Sequence, residues 1–160
     1  KQQRLLERGD VTNARITIWR RAVVAWEIHP WFGAGMDNYG KVGEEAIRRR
    51  VEADGKSFRP EDYVGSNHAH SLYLNTLAER GIVGSGVFLA VLLAWAGALW
   101  RLRPDRGTPA VEASAWGAAA SAWVVTTVSG IGNTSFHHEI ALLGALLLGG
   151  WLALRKVAPR

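Results

Sequence analysis

Hydrophobic and polar positions are distributed in two different ways along the chain. Up to residue 80 apolar residues are interleaved with charges; beyond residue 81 they gather into three uncharged runs. Val11 to Ile28 is a helix candidate, with Asp10 or Thr12 as N-cap and His29-Pro30 as the stop. Trp31 to Gly40, with Gly33 and Gly35, predicts a loop. Lys41 to Ala53 predicts a second, polar helix, and Asp54 to Ser66, which holds Gly55, Pro60 and Gly65, a second loop. Asn67 to Arg80 predicts a third helix ended by Gly81 as a C-cap.

Ile82 to Trp100 offers 19 residues without a charge, about the length a helix needs to cross a hydrocarbon core. Ala113 to Phe136 adds 24, and Ile140 to Leu154 adds 15, short for a span unless it borrows flanking residues. The expected fold is therefore an all-α integral membrane protein. A helical domain at residues 1–81 precedes three transmembrane helices within 82–154, at about 82–100, 113–136 and 138–154. The connection at 101–112 and the tail at 155–160 hold six Lys and Arg between them, which assigns both to the cytoplasm. Residues 1–81 and the 137–139 turn then face the other side, the periplasm if the membrane is a bacterial inner membrane. The chain opens on Lys1 without Met or signal peptide, and so reads as the C-terminal portion of a longer polytopic protein.

Charge and composition refine this picture. Residues 1–80 carry 13 basic and 11 acidic side chains and residues 81–160 carry 6 and 3, a net charge of +2 and +3. The basic residues form no single stripe, which argues against nucleic acid as a partner. Eight tryptophans favour a membrane interface, where an amphipathic ring is at home. With no cysteine, disulfides and thiolate metal sites are excluded.

Helical wheels single out two candidates for chemistry. On the first helix Arg15, Trp19, Ala22 and Trp26 share a face, and Arg15 is its only charge; Arg20 and Arg21 point elsewhere, as solvated side chains. An arginine on an apolar stripe snorkels, pairs within the protein, or meets an outside anion such as a diphosphate, whose oxygens its planar fork matches. On the third helix His70 shares a face with Tyr73, Leu74 and Leu77, while His68 falls about 160° away, beside Asn75 and Glu79. His70 is thus a candidate general base at the membrane edge, set against the plainer role of a hydrogen-bonded core histidine. His137-His138-Glu139, in the second external turn, supplies candidates for orienting a substrate or the His70 ring. Adjacent histidines rarely reach one ion together, so a metal site there is disfavoured, and no cofactor is called for. Gly33-x-Gly35 lacks the third glycine and the preceding strand of a dinucleotide site. Arg48-Arg49-Arg50 reads as a solvated face.

Three segments together resemble the C-terminal half of the O-antigen ligase and polymerase superfamily. The first is Arg15-x3-Trp19-x2-Ala22, running on to His29-Pro30-x2-Gly33-x-Gly35-x2-Asn38-Tyr39. The second is His70-Ser71-x9-Gly81-x2-Gly84, which fits the ligase pattern of His, then Asn, Ser or Gln, nine residues, Gly, two residues, Gly. Leu72-Tyr73-Leu74 and Glu79 fit its surroundings. The third is the polar turn Gly132 to Glu139. Ser71 stands where Asn is commonest, and the family's N-terminal spans, with a further arginine, are not among these residues; the chain alone is expected to be inactive.

The resemblance implies a metal-independent glycosyltransferase of the ligase type. Its donor would be a glycan on undecaprenyl diphosphate in the membrane, its acceptor a sugar hydroxyl of the lipid A core. By this resemblance Arg15 steadies the diphosphate and His70 takes the acceptor proton, with Tyr73, His137 and His138 in supporting roles. A polymerase or a protein O-oligosaccharyltransferase would use the same parts on another acceptor. A non-catalytic membrane or polysaccharide-assembly module is the alternative of another class. A transporter fits less well, because the uncharged runs hold only Ser, Thr and Asn133 as polar side chains.

Overall fold

The computed structural model describes residues 11–134 and 138–157, and all its regular elements are helical. They are α1 (Val11–Ile28), α2 (Glu44–Ala53), α3 (Leu72–Arg101), α4 (Ala110–Gly132) and α5 (His138–Val157), with 3-10 turns at Tyr39–Lys41 and Pro60–Asp62. The chain divides into two compact units, one ending at Val87 but including Gly132–Thr134, the other formed by Phe88–Ile131 and the residues after Thr134.

In the first unit α1 packs on α2. Ala22, Val24 and Ala25 of α1 meet Ile47 and Val51 of α2, and Tyr39, Val42, Ala69 and Ala78 complete the core. Ala22 and Ala25 give α1 small side chains in this seam, against which Ile47 and Val51 pack. Tyr39 is fully buried and donates its hydroxyl to the Ile18 carbonyl at 3.1 Å. Burial pushes that phenol up to about 12, against a smaller opposing pull from Arg21, so it serves as a neutral donor. α2 begins at Glu44 rather than Lys41, since residues 39–41 form their own turn. Glu44 and Glu45 in its first turn and Arg50 in its last complement the helix dipole. Arg50 also pairs with Glu27 at 3.2 Å and with Asp54, tying the end of α2 to α1.

Arg21 is a correction to the wheel. It is not solvated but buried, with 7 % of its surface exposed, and it donates to the carbonyls of Val42 at 2.5 Å and Tyr63 at 3.4 Å. One guanidinium thereby holds both inter-helix loops against α1. Arg21→Met keeps much of the side-chain volume and orphans the two carbonyls. It is expected to destabilise the protein by about 2–4 kcal/mol, read from denaturant unfolding followed by circular dichroism.

The second unit is held by tryptophan. Trp95, Leu99, Ala119 and Trp151 form its core. The indole N–H of Trp116 donates to the Leu99 carbonyl at 3.1 Å and that of Trp123 to the Leu92 carbonyl at 2.9 Å, stitching α4 to the second half of α3. Arg155 of α5 closes the same unit through Glu112 at 3.2 Å and the Leu102 carbonyl at 2.6 Å.

Among the described residues α3 is the helix long and apolar enough to cross a membrane, and residues 141–155 form a shorter apolar helix. α4 carries Ala, Ser, Thr and Gly at many positions where α3 carries Leu and Val. α3 is not continuous. Gly81 has φ +63° and ψ −165°, so a first segment ends there and a second begins at once.

Candidate active site

His70 does not lie on a helix. The segment expected to be helical from Asn67 becomes regular only at Leu72, and the shared face of His70 with Tyr73, Leu74 and Leu77 is lost with it. His70 is instead an exposed residue between two buried ones, Ala69 and Ser71, with φ +49°. That left-handed conformation costs a side-chain-bearing residue of the order of 1–2 kcal/mol, so the surroundings must impose it. They do so from both sides. The Ala69 amide donates to Asn75 Oδ1 at 3.0 Å. Ser71 caps α3, its hydroxyl accepting from the Leu74 amide at 3.5 Å while its carbonyl accepts from Asn75 at 2.9 Å. His70 is thereby turned outward on the rim of the helix start. Tyr73, in the first turn of α3, is 37 % exposed.

Arg15 stands on α1 as expected, exposed at one end of the face that continues through Trp19 and the buried Ala22. Its Nη1 lies 3.5 Å from where a Cβ on Gly132 would sit. The next residue, Asn133, accepts a hydrogen bond from the Leu72 amide at 3.1 Å. Gly132–Asn133 is therefore a shared neighbour: Arg15 adjoins one of the pair, and the segment two residues beyond His70 is tied to the other. Three stretches far apart in sequence converge on this corner of the first unit. His137 lies outside the described residues, and of His138 only its backbone at the start of α5 is described.

A second joint lies one helical segment away. The loop after α1 runs against the break in α3, with Ala34 N donating to Ala78 O, Gly35 N to Glu79 O, Ile82 N to Pro30 O and Val83 N to Trp31 O, all between 2.9 and 3.2 Å. Contact is backbone on backbone. A Cβ on Gly33 would sit 2.2 Å from the Glu79 carbonyl carbon, and one on Gly81 would sit 2.4 Å from that of Trp31. Gly33 of the predicted loop and Gly81, the expected C-cap, are thus two halves of one contact. Glu79, at the same place, is buried.

Among the described residues no group of three His, Cys, Asp or Glu is arranged to hold a metal ion. A cleft of about 460 Å³ opens along α1 between Trp19, Glu27, Asp54 and Tyr63, and neither Arg15 nor His70 lines it. Arg15 and His70 are both exposed, so their corner is open surface.

Among the described residues, then, one apolar helix has the length to cross a membrane, and an exposed histidine stands just before it. The O-antigen ligase family model, Wzy_C, matches residues 6–89, more than half of the chain. The chain belongs to this family, a glycosyltransferase-like superfamily that works on lipid-linked glycans in a membrane setting. The match takes in Arg15, both glycine pairs and His70, and ends before the Gly132 turn. Neither the curated proteins nor the solved structures yield a match.

Proposed function

We propose that the protein transfers a glycan from undecaprenyl diphosphate to a sugar hydroxyl of the lipid A core, at the periplasmic face of the bacterial inner membrane. In this reading residues 1–81 lie outside the membrane, the runs at 82–100, 113–136 and 138–154 cross it, and the 155–160 tail is cytoplasmic. The acceptor oxygen attacks the anomeric carbon as the bond from that carbon to the diphosphate oxygen breaks. His70 takes the acceptor proton, and undecaprenyl diphosphate leaves with the bonding pair. The negative charge that grows on the departing diphosphate is met by Arg15, an exposed cation that forms no hydrogen bond or ion pair among the described residues and so has its guanidinium fork available to the diphosphate oxygens. The observation that carries the reading is the convergence of Arg15 and the His70 segment on Gly132–Asn133, in a chain of the O-antigen ligase family.

Arg15→Ala in the complete protein is expected to lower transfer by about 10²–10³-fold, with Arg15→Lys recovering part of it, because a point charge replaces a fork. The assay supplies a polyprenyl-diphosphate glycan and offers lipid A core, free glycan and protein as acceptors. Transfer unchanged in Arg15→Ala overturns the role of Arg15, and transfer to another acceptor alone overturns the choice of acceptor. Activity that vanishes with a chelator and returns with a divalent ion overturns the metal-independent mechanism.

A further inference from the structure

The loop that follows α1 leaves large apolar side chains in the open: Trp31 is 64 % exposed, Phe32 76 % and Met36 65 %. Single exposed apolar residues are ordinary, but three on one short loop form a patch that calls for a partner. Backbone hydrogen bonds fix where this patch lies. Ile82 N donates to the Pro30 carbonyl at 2.9 Å and Val83 N to the Trp31 carbonyl at 3.2 Å. Trp31 and Phe32 are therefore level with the first residues of the uncharged run that begins at Ile82. The change from charged to apolar is abrupt there. Arg80 is exposed, with its guanidinium directed to the Met36 sulfur at 3.2 Å, and two residues later Ile82 and Val83 expose apolar side chains of their own.

We infer that Trp31 and Phe32 insert into the boundary between headgroups and acyl chains of the lipid bilayer, docking the first unit on the membrane beside its own span. The inference rests on the proposed reading of 82–100 as a membrane span. Lipid is the occupant that follows from this geometry, because a loop bonded to the outermost residues of a span is carried to the interface by the span itself. There an amphipathic indole is favoured, and Arg80 sits at the level of the lipid phosphates. The joint at Gly33 and Gly81 keeps the loop at that depth, since the backbones touch with no side chain between them.

The 160 residues contain no cysteine, so an introduced one reports alone once any cysteine elsewhere in the complete protein is replaced. Phe32→Cys carries a polarity-sensitive fluorophore, Met36→Cys gives a second position on the same loop, and Leu93→Cys marks the middle of the span. The protein is reconstituted in phosphatidylethanolamine–phosphatidylglycerol vesicles with nitroxide lipids labelled shallow or deep, and aqueous iodide serves as a separate quencher. The loop probes are expected to be blue-shifted and to lose emission chiefly to the shallow nitroxide, the Leu93 probe chiefly to the deep one. Loop probes with aqueous emission and full iodide access, beside a Leu93 probe quenched by deep nitroxide, overturn the docking alone. Loop probes that are blue-shifted yet untouched by lipid quenchers overturn it in favour of a protein cover. A Leu93 probe that no lipid quencher reaches overturns the span on which the inference rests.

Discussion

His70→Asn is expected to lower glycan transfer by about 10²–10⁴-fold, the contribution of a positioned general base, while leaving the fold intact. The choice of asparagine follows from the backbone. His70 holds φ +49°, and asparagine enters the left-handed region more readily than almost any other residue with a side chain. The outward turn between Ala69 and Ser71 is thus preserved and only the imidazole is lost. Unfolding free energy should stay within about 1 kcal/mol of the parent protein. His70→Ala is a poorer test, because it adds backbone strain to the loss of the base. Transfer by His70→Asn within a few-fold of the parent would sink the general-base assignment. A large loss of stability would instead give His70 a structural role that its exposure does not foreshadow.

How much of this was legible in the sequence differs from residue to residue. The C-terminal end of α1 at Ile28 was readable, because Pro30 cannot continue a helix, while Asp10, an expected cap, lies outside the described residues. The start of α3 was not. His-Ala-His-Ser-Leu-Tyr-Leu continues a helical pattern without interruption, and what breaks it is Ser71 acting as a cap and Asn75 reaching back to Ala69. A serine within a run of helix-compatible residues carries no mark of which role it takes. Arg21 was misplaced for another reason. The wheel was centred on Trp19 and Trp26, yet the buried stripe of α1 runs through Ile18, Ala22 and Ala25, and the two alanines pack with Ile47 and Val51 of α2. Arg21 lies three residues after Ile18 and four before Ala25, so the alanine stripe was the available signal. The meeting of Arg15 and the His70 segment at Gly132–Asn133 involves residues more than 100 positions from Arg15, and helical periodicity cannot reveal such a contact.

The glycine joint should be the most sensitive structural point outside the proposed site residues. At Gly81 two costs add. Any other residue at φ +63° and ψ −165°, a region essentially open to glycine alone, is disfavoured by about 1–3 kcal/mol, and the new methyl would lie 2.4 Å from the carbonyl atoms of Trp31, an overlap that backbone cannot relieve as a flexible side chain would. The loop must lift away, weakening the hydrogen bonds of Ile82 and Val83 to Pro30 and Trp31. Gly81→Ala is therefore expected to destabilise the protein by about 3–5 kcal/mol, and Gly33→Ala similarly, since its methyl would meet the Glu79 carbonyl at 2.2 Å. Gly86→Ala is the matched control. It lies in the helix interior with nothing within 4 Å of its added methyl, and should be neutral or stabilising by up to about 1 kcal/mol. The measurement is unfolding in detergent, with transfer assayed on the same preparations. Because the joint fixes the chain leaving α1, which carries Arg15, against α3, which follows His70, transfer in Gly81→Ala should fall even under conditions where the protein remains folded. Equal stability of Gly81→Ala and Gly86→Ala would remove the joint from the account and leave Arg15 and the His70 segment linked through the Gly132–Asn133 corner and the core that Ala22 and Ala25 share with Ala69 and Ala78.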